Sequence, residues 1–174
     1  MELVKETDPI LTTPTEAFDF DNPPLDPEKL AMDLVEFMRG KGGVGIAANQ
    51  VGLPYSVFAM DGEPAHVCFN PRIINMSEET IVLEEGCLSW PGLILPIERS
   101  RHVRIRFTGP NGETFTKQFI NMTARIIQHE CSHLRGEVFF EGLVSRTKLS
   151  MAIKKAKKYG YDYSDKGLMK YAST

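Results

Sequence analysis

No apolar run in this chain is long enough to cross a membrane, so no membrane partner is expected. There is no excess of positive charge either. The formal net charge is -3, so neither DNA nor nucleic acid in general is an expected ligand. The first residues, Met1-Glu2-Leu3-Val4-Lys5-Glu6, lack the apolar core of a secretory signal and the Arg and Ser richness of a transit peptide. A reducing, cytoplasmic compartment is the expectation. Three cysteines, Cys68, Cys87 and Cys131, cannot all pair with one another, and in such a compartment a metal role is favoured over a disulfide. Internal repeats and linker-like stretches are also lacking. With 174 residues and a hydrophobic fraction of 42%, residues 1–174 suit one domain with a sizeable core.

What the chain does have is concentrated in Gln128-His129-Glu130-Cys131-Ser132-His133. Two histidines four residues apart lie on one helix face about one turn from each other, where a single ion can be held. Glu130 projects at a neighbouring angle and can reach a water without being a ligand. Met122, Ala124, Ile126, Ile127, Cys131 and Leu134 place apolar groups nearly all round this helix, so it is expected to be buried. Asn121 is placed to cap it and Gly136 to end it. A histidine pair at this spacing also occurs in ordinary cores, with both rings bonded to backbone. A buried carboxylate between the two makes that reading less economical, because it too needs a partner.

Elsewhere the chain reads simply. Residues 1–25, rich in Pro, Asp and Thr, are expected to form an irregular arm. Asp26 caps a helix with Pro27 at its first position, an apolar stripe of Leu30, Ala31, Leu34, Val35 and Met38, and Gly40 at its end. Lys41–Gly52 is rich in small residues and reads as a tight wall ending in the Gln50 amide. Ser56–Met60, Val67–Asn70, Ile73–Met76 and Thr80–Leu83 are strand-like. Val103, Ile105 and Phe107 alternate with polar residues, and Pro110-Asn111-Gly112 turns into a further strand at Glu113–Phe119. Thr147–Tyr159 is a helix with Leu149, Ala152, Ile153 and Ala156 on one face and lysines around the rest. The polar tail, 160–174, is expected to be loose. The fold class is therefore α+β: antiparallel β-sheets around a central metal-binding helix, with an N-terminal helix and a basic C-terminal one.

An open catalytic site usually takes three protein ligands. His-Glu-x-x-His-x-x-Gly-x-x-His is one downstream solution; Gly136 fits it, but Phe139 occupies the last position. Glu137 and Glu141 are too close to His133 in sequence, and His66 and His102 sit in strand-like runs. Cys87, flanked by Gly86, is the better candidate.

Three stretches in this order resemble the peptide deformylase family: Gly43-Val44-Gly45-Ile46-Ala47-Ala48-Asn49-Gln50, Glu85-Gly86-Cys87-Leu88-Ser89 and Gln128-His129-Glu130-Cys131-Ser132-His133-Leu134-Arg135-Gly136. The resemblance implies an enzyme that removes the formyl group from the N-terminal methionine of new polypeptides. It implies one divalent ion on Cys87, His129 and His133, with Fe2+ as the native metal and Zn2+, Ni2+ or Co2+ accepted. Glu130 would be the acid/base, and Gln50 with the backbone N–H of Leu88 would hold the oxyanion. Val44, Gly45, Leu83, Met122 and Ile126 are candidates for the methionine pocket, with the Arg125 stem beside them and its head in water. Arg99 is expected to pair with Glu85 behind the cysteine. N-formyl-methionyl nascent peptides are the implied partners, together with the ribosome, which a basic C-terminal helix contacts in bacterial members. This chain has Ser132 where the family usually has Asp, and Trp90 where an aliphatic residue is common. The alternative reading is a general His-Glu-x-x-His zinc endopeptidase.

Overall fold

Asp26 accepts hydrogen bonds from the backbone N–H groups of Glu28 and Lys29, and Pro27 follows it, so helix α1 forms over Pro27–Gly40. Its buried residues, Leu30, Ala31, Leu34 and Met38, belong to the stripe seen in the sequence. The computed structural model describes residues 1–173. Seven strands follow α1: β1 (Gly45–Ala47), β2 (Val57–Met60), β3 (His66–Met76), β4 (Thr80–Cys87), β5 (Trp90–Ser100), β6 (His102–Thr108) and β7 (Thr114–Ile120). Strands β1-β2-β3-β6-β7 form one antiparallel sheet in that order, while β4 and β5 form a separate antiparallel hairpin.

Two expectations about strands need correction. The runs at Val67–Asn70 and Ile73–Met76 are one strand, β3, whose register against β6 shifts between Phe69 and Arg72 and again between Ile73 and Asn75. Strand β5 covers a stretch for which no element was expected, and it contains Pro91 and Pro96, residues unusual in a strand. It tolerates both because it pairs only with β4, leaving its other edge free of ladder bonds. Its alternation is nonetheless present, with Leu93, Leu95 and Ile97 buried.

Helix α2 (Asn121–Leu134) is the centre of the molecule. Ala124, Ile127, Cys131 and Leu134 pack with Ala47, Phe58, Val103 and Ile105 of the large sheet. Asn121 does not cap it. Ile120 holds the cap position without a side-chain bond, and Asn121, at φ +54, accepts from Arg101 Nε instead. At the far end the arm crosses the helix terminus, and the Thr15 N–H donates to Leu134 O at 2.9 Å. Gly136 is required there twice over: its φ is +72, and a Cβ would lie 2.6 Å from the Thr13 carbonyl carbon.

Helix α3 (Arg146–Lys158) is capped by Ser145 and buries Leu149, Ala152, Ile153 and Ala156. The segment after it is not the loose tail expected for 160–174. Tyr163 and Leu168 are buried, the Tyr163 hydroxyl donates to Pro91 O at 2.8 Å, and Ser173 bridges to Ser145. Its polar composition concealed enough aromatic and aliphatic surface to dock on β5. Thr174 lies outside the described residues.

Candidate active site

The 125-129-133 spacing puts Arg125, His129 and His133 on one stripe of α2, turned toward the β4–β5 hairpin. From the hairpin, Glu85 and Cys87, two apart on β4, project toward that stripe. His133 Nε2 lies 3.2 Å from Cys87 Sγ, and one ligand atom from each of Cys87, His129 and His133 falls within 4.8 Å of the other two. Cys87 is the last residue of β4, and Leu88 and Ser89 form the two-residue turn into β5.

The second ring nitrogens are treated differently. His129 Nδ1 is 3.0 Å from Glu85 Oε2, which leaves its Nε2 for an ion and fixes the ring. Glu85 also accepts two bonds from Arg99, at 2.7 and 2.8 Å, and one from Arg125. Burial alone would raise the Glu85 carboxyl, but the His129 and Arg99 hydrogen bonds outweigh it and hold its pKa at about 2. The Glu85–Arg99 contact is thus a buried ion pair. Arg125 departs from expectation. Its head does not reach water; it binds Glu85 and the carbonyls of Ile97 and Ile81, tying both hairpin strands to α2. The sequence signal for this was its position four residues before His129, on the ligand stripe.

Burial, and after it the Glu130 charge, pushes the Cys87 thiol up to about 12, while burial, and after it His129, drives the His133 imidazolium well down. A neutral imidazole is a ready ligand, and a thiol becomes one by giving its proton up to an ion. Two imidazoles and a thiol converging in this way fit a single divalent ion.

Glu130 is buried, its Oε2 has no hydrogen-bond partner, and burial raises its pKa well above the carboxylate range. Gly45 makes room for it, since a Cβ there would sit 2.3 Å from Glu130 Oε1. The Gln50 amide is oriented by the backbone three residues before it. The Ala47 N–H donates to Oε1 at 2.9 Å, so Nε2 must face the site, where it donates to Ser89 Oγ at 2.9 Å and reaches Cys87 Sγ at 3.4 Å. Ser89 is a site residue that carried no reading of its own beyond the motif, and Trp90 stands out in the sequence only as bulkier than the aliphatic residue common there. In place of the usual Asp, Ser132 donates back to Gln128 O and accepts from Arg135.

These groups open on a cleft of about 480 Å³ lined by Val44, Gly45, Gln50, Leu88, Met122, Ile126 and Glu130, among others. Leu83 does not line it. It lies on β4 opposite Ile97, one residue before the lining begins at Glu84. Phe139, where a downstream histidine ligand would stand, is a buried wall stacked on His129 with ring centroids 5.1 Å apart.

An α+β fold whose buried helix and neighbouring strand bring a thiol and two imidazoles together beside an unpaired carboxylate defines a metallohydrolase type of site. The model of the family described as polypeptide deformylase matches residues 1–149. A peptide deformylase of Pseudothermotoga lettingae is 38% identical over 138 residues, covering 76% of this chain and 81% of its own. Among solved structures, a Synechococcus elongatus peptide deformylase in complex with actinonin superposes with a TM-score of 0.83 at 29% identity, over 93% of this chain and 87% of that one. An Arabidopsis thaliana peptide deformylase 1B in complex with an inhibitor does so with a TM-score of 0.81 at 30% identity, over 95% and 97%. The chain belongs to the peptide deformylase family, and it is an enzyme.

Proposed function

We propose that this enzyme removes the formyl group from N-formyl-methionyl peptides, releasing formate, with one divalent ion held by Cys87, His129 and His133. The observation that carries the reading is the convergence of those three ligand atoms within 4.8 Å, with Cys87 and His129 lining the same cleft as Glu130 and Gln50. When bound, the ion supplies Lewis acidity and acidifies water. Glu130 takes the proton of the attacking water and hands it to the leaving amine, a task suited to a carboxyl whose pKa burial has raised. Gln50 Nε2 and the Leu88 N–H donate to the formyl oxygen as negative charge develops there. The methionine side chain rests on Val44, Gly45, Met122 and Ile126. Fe2+ is the ion we assign, and the same donor set accepts Zn2+, Ni2+ or Co2+.

Formate release from a formyl-Met peptide, with the acetylated peptide and internal bonds left intact, is the expected result. Cleavage of internal bonds would replace this reading with the endopeptidase alternative, which the Phe139 wall already disfavours. We assign the reaction to the cytoplasm; no helix of the described residues is long and apolar enough to cross a membrane. For α3 we infer a ribosomal contact, because its apolar side is used on the domain while Lys148, Lys154, Lys155, Lys157 and Lys158 face solvent. Reversing Lys154, Lys155, Lys157 and Lys158 to Glu should weaken co-sedimentation with ribosomes, most visibly at low salt. Unchanged co-sedimentation removes that contact.

A further inference from the structure

The two histidine ligands are supported by unlike means. His129 is oriented by the hydrogen bond that its Nδ1 donates to the Glu85 carboxylate. His133 is completely buried, yet its Nδ1 has no hydrogen-bond partner in the protein. What lies against its ring is the indole of Trp90, which is 1% exposed, with centroids 6.0 Å apart and planes 5° from parallel. The register explains the placement. Trp90 is the cross-strand partner of Cys87, and paired residues project from the same face of a hairpin, so the residue opposite the thiol ligand meets the ligand beside it. Trp90 is itself held by Phe139, which stacks on His129, and the two histidines lie 5.1 Å apart. The four rings close a circuit behind the metal site.

We propose that Trp90 is a positioning residue for the metal site, its indole plane setting the orientation of His133 as the Glu85 carboxylate sets that of His129. A ring with no hydrogen bond to stop its rotation is held by the shape of the wall it lies on. Loss of a group that orients a ligand typically costs about 10–100-fold in metal affinity.

The inference rests on the metal reading of this site and not on the substrate, so the readout is metal retention. Zn2+-loaded parent, Trp90→Met, Trp90→Leu and Trp90→Phe are competed against a chromophoric chelator, and the visible spectra of the Co2+-loaded proteins are recorded. Leu93→Ala, a core change in the same apolar cluster that leaves the rings alone, controls for general softening. The methionine and leucine variants should weaken Zn2+ binding about 10–100-fold and alter the Co2+ bands. The phenylalanine variant, which keeps an aromatic plane, should hold the metal far better than either. Two non-aromatic replacements are used so that one that folds suffices. Parental affinity and spectrum in a folded methionine or leucine variant overturns the proposal. So does equal weakening in Trp90→Phe, or the same loss in Leu93→Ala at a matched melting temperature. A protein that follows the expected order yet leaves formyl peptides intact fails the functional reading alone.

Discussion

Helices α2 and α3 are nearly equal in length, at 14 and 13 residues, and both carry many polar side chains, yet they treat them oppositely. α3 buries only Leu149, Ala152, Ile153 and Ala156 and leaves its lysines in water. α2 buries Arg125, Gln128, His129, Glu130, Ser132 and His133. Burying such groups is costly unless each is answered by a partner. Arg125 and His129 are answered by Glu85, and Gln128 by the Ser100 backbone in both directions. Glu130 Oε2, His133 Nδ1 and, on a side chain bonded through its other nitrogens, Arg125 Nε are left unanswered by the protein. A helix that keeps its polar residues wet is a packing element with a charged back. A helix that dries them, and leaves one carboxylate oxygen unsatisfied, is organised around chemistry.

The contrast can be tested by substitution, and the largest effects belong on the dry side. Cys87→Ser should lose its metal and all measurable turnover, and full metal content in that variant would remove the thiol from the ligand set. Glu130→Gln keeps the shape but cannot accept a proton. It should retain metal and substrate binding while turnover falls about 10²–10⁴-fold, and near-parental turnover with metal in place would assign the proton to another group.

Glu85→Ala should come next, because it strands Arg99, Arg125 and His129 in the interior. A loss of about 3–5 kcal/mol in stability is expected from denaturant unfolding. The same residue sets a pH dependence. Its carboxyl pKa is lowered on folding from 4.5 to about 2, so its contribution is fully present above pH 4.5 and disappears as pH falls through about 2. That contribution is on the order of 3 kcal/mol. Stability followed through that window should decline in the parent and decline less in Glu85→Gln; parallel curves would show that Glu85 is not the group responsible.

The smallest effects belong on the wet side. Reversing Lys154, Lys155 and Lys158 to Glu should leave both the melting temperature and the turnover of a short formyl peptide near parental, because surface charges on α3 touch nothing the site needs. A marked drop in turnover would show that the two helices are not independent.

Local rules made much of this legible. Asp26-Pro27 and the stripe behind them place α1 to the residue, and the four-residue spacing of His129 and His133 places both rings on one face. The failures share a physical character. β5, over which no element was expected, contains prolines that are harmless on a free edge. The segment 160–173 was hidden by a polar composition whose tyrosines and leucine find a surface only when β5 is present. Arg125 read as a solvated head because nothing in its own neighbourhood announces a carboxylate forty residues earlier.

By itself, the sequence determined the chemistry available to this protein: a thiol between a glycine and a leucine, two imidazoles one turn apart, a carboxylate between them and one amide at the end of a small-residue wall. Those are properties of residue type and short spacing, which local geometry governs. Only the tertiary structure decided how that chemistry is held. It placed Glu85 between two arginines and a histidine, seated Trp90 flat against His133, and sealed the hairpin with the C-terminal segment. Each of these joins residues from separate elements, and such pairings depend on strand register and helix phase across the whole fold, which no short stretch of chain encodes.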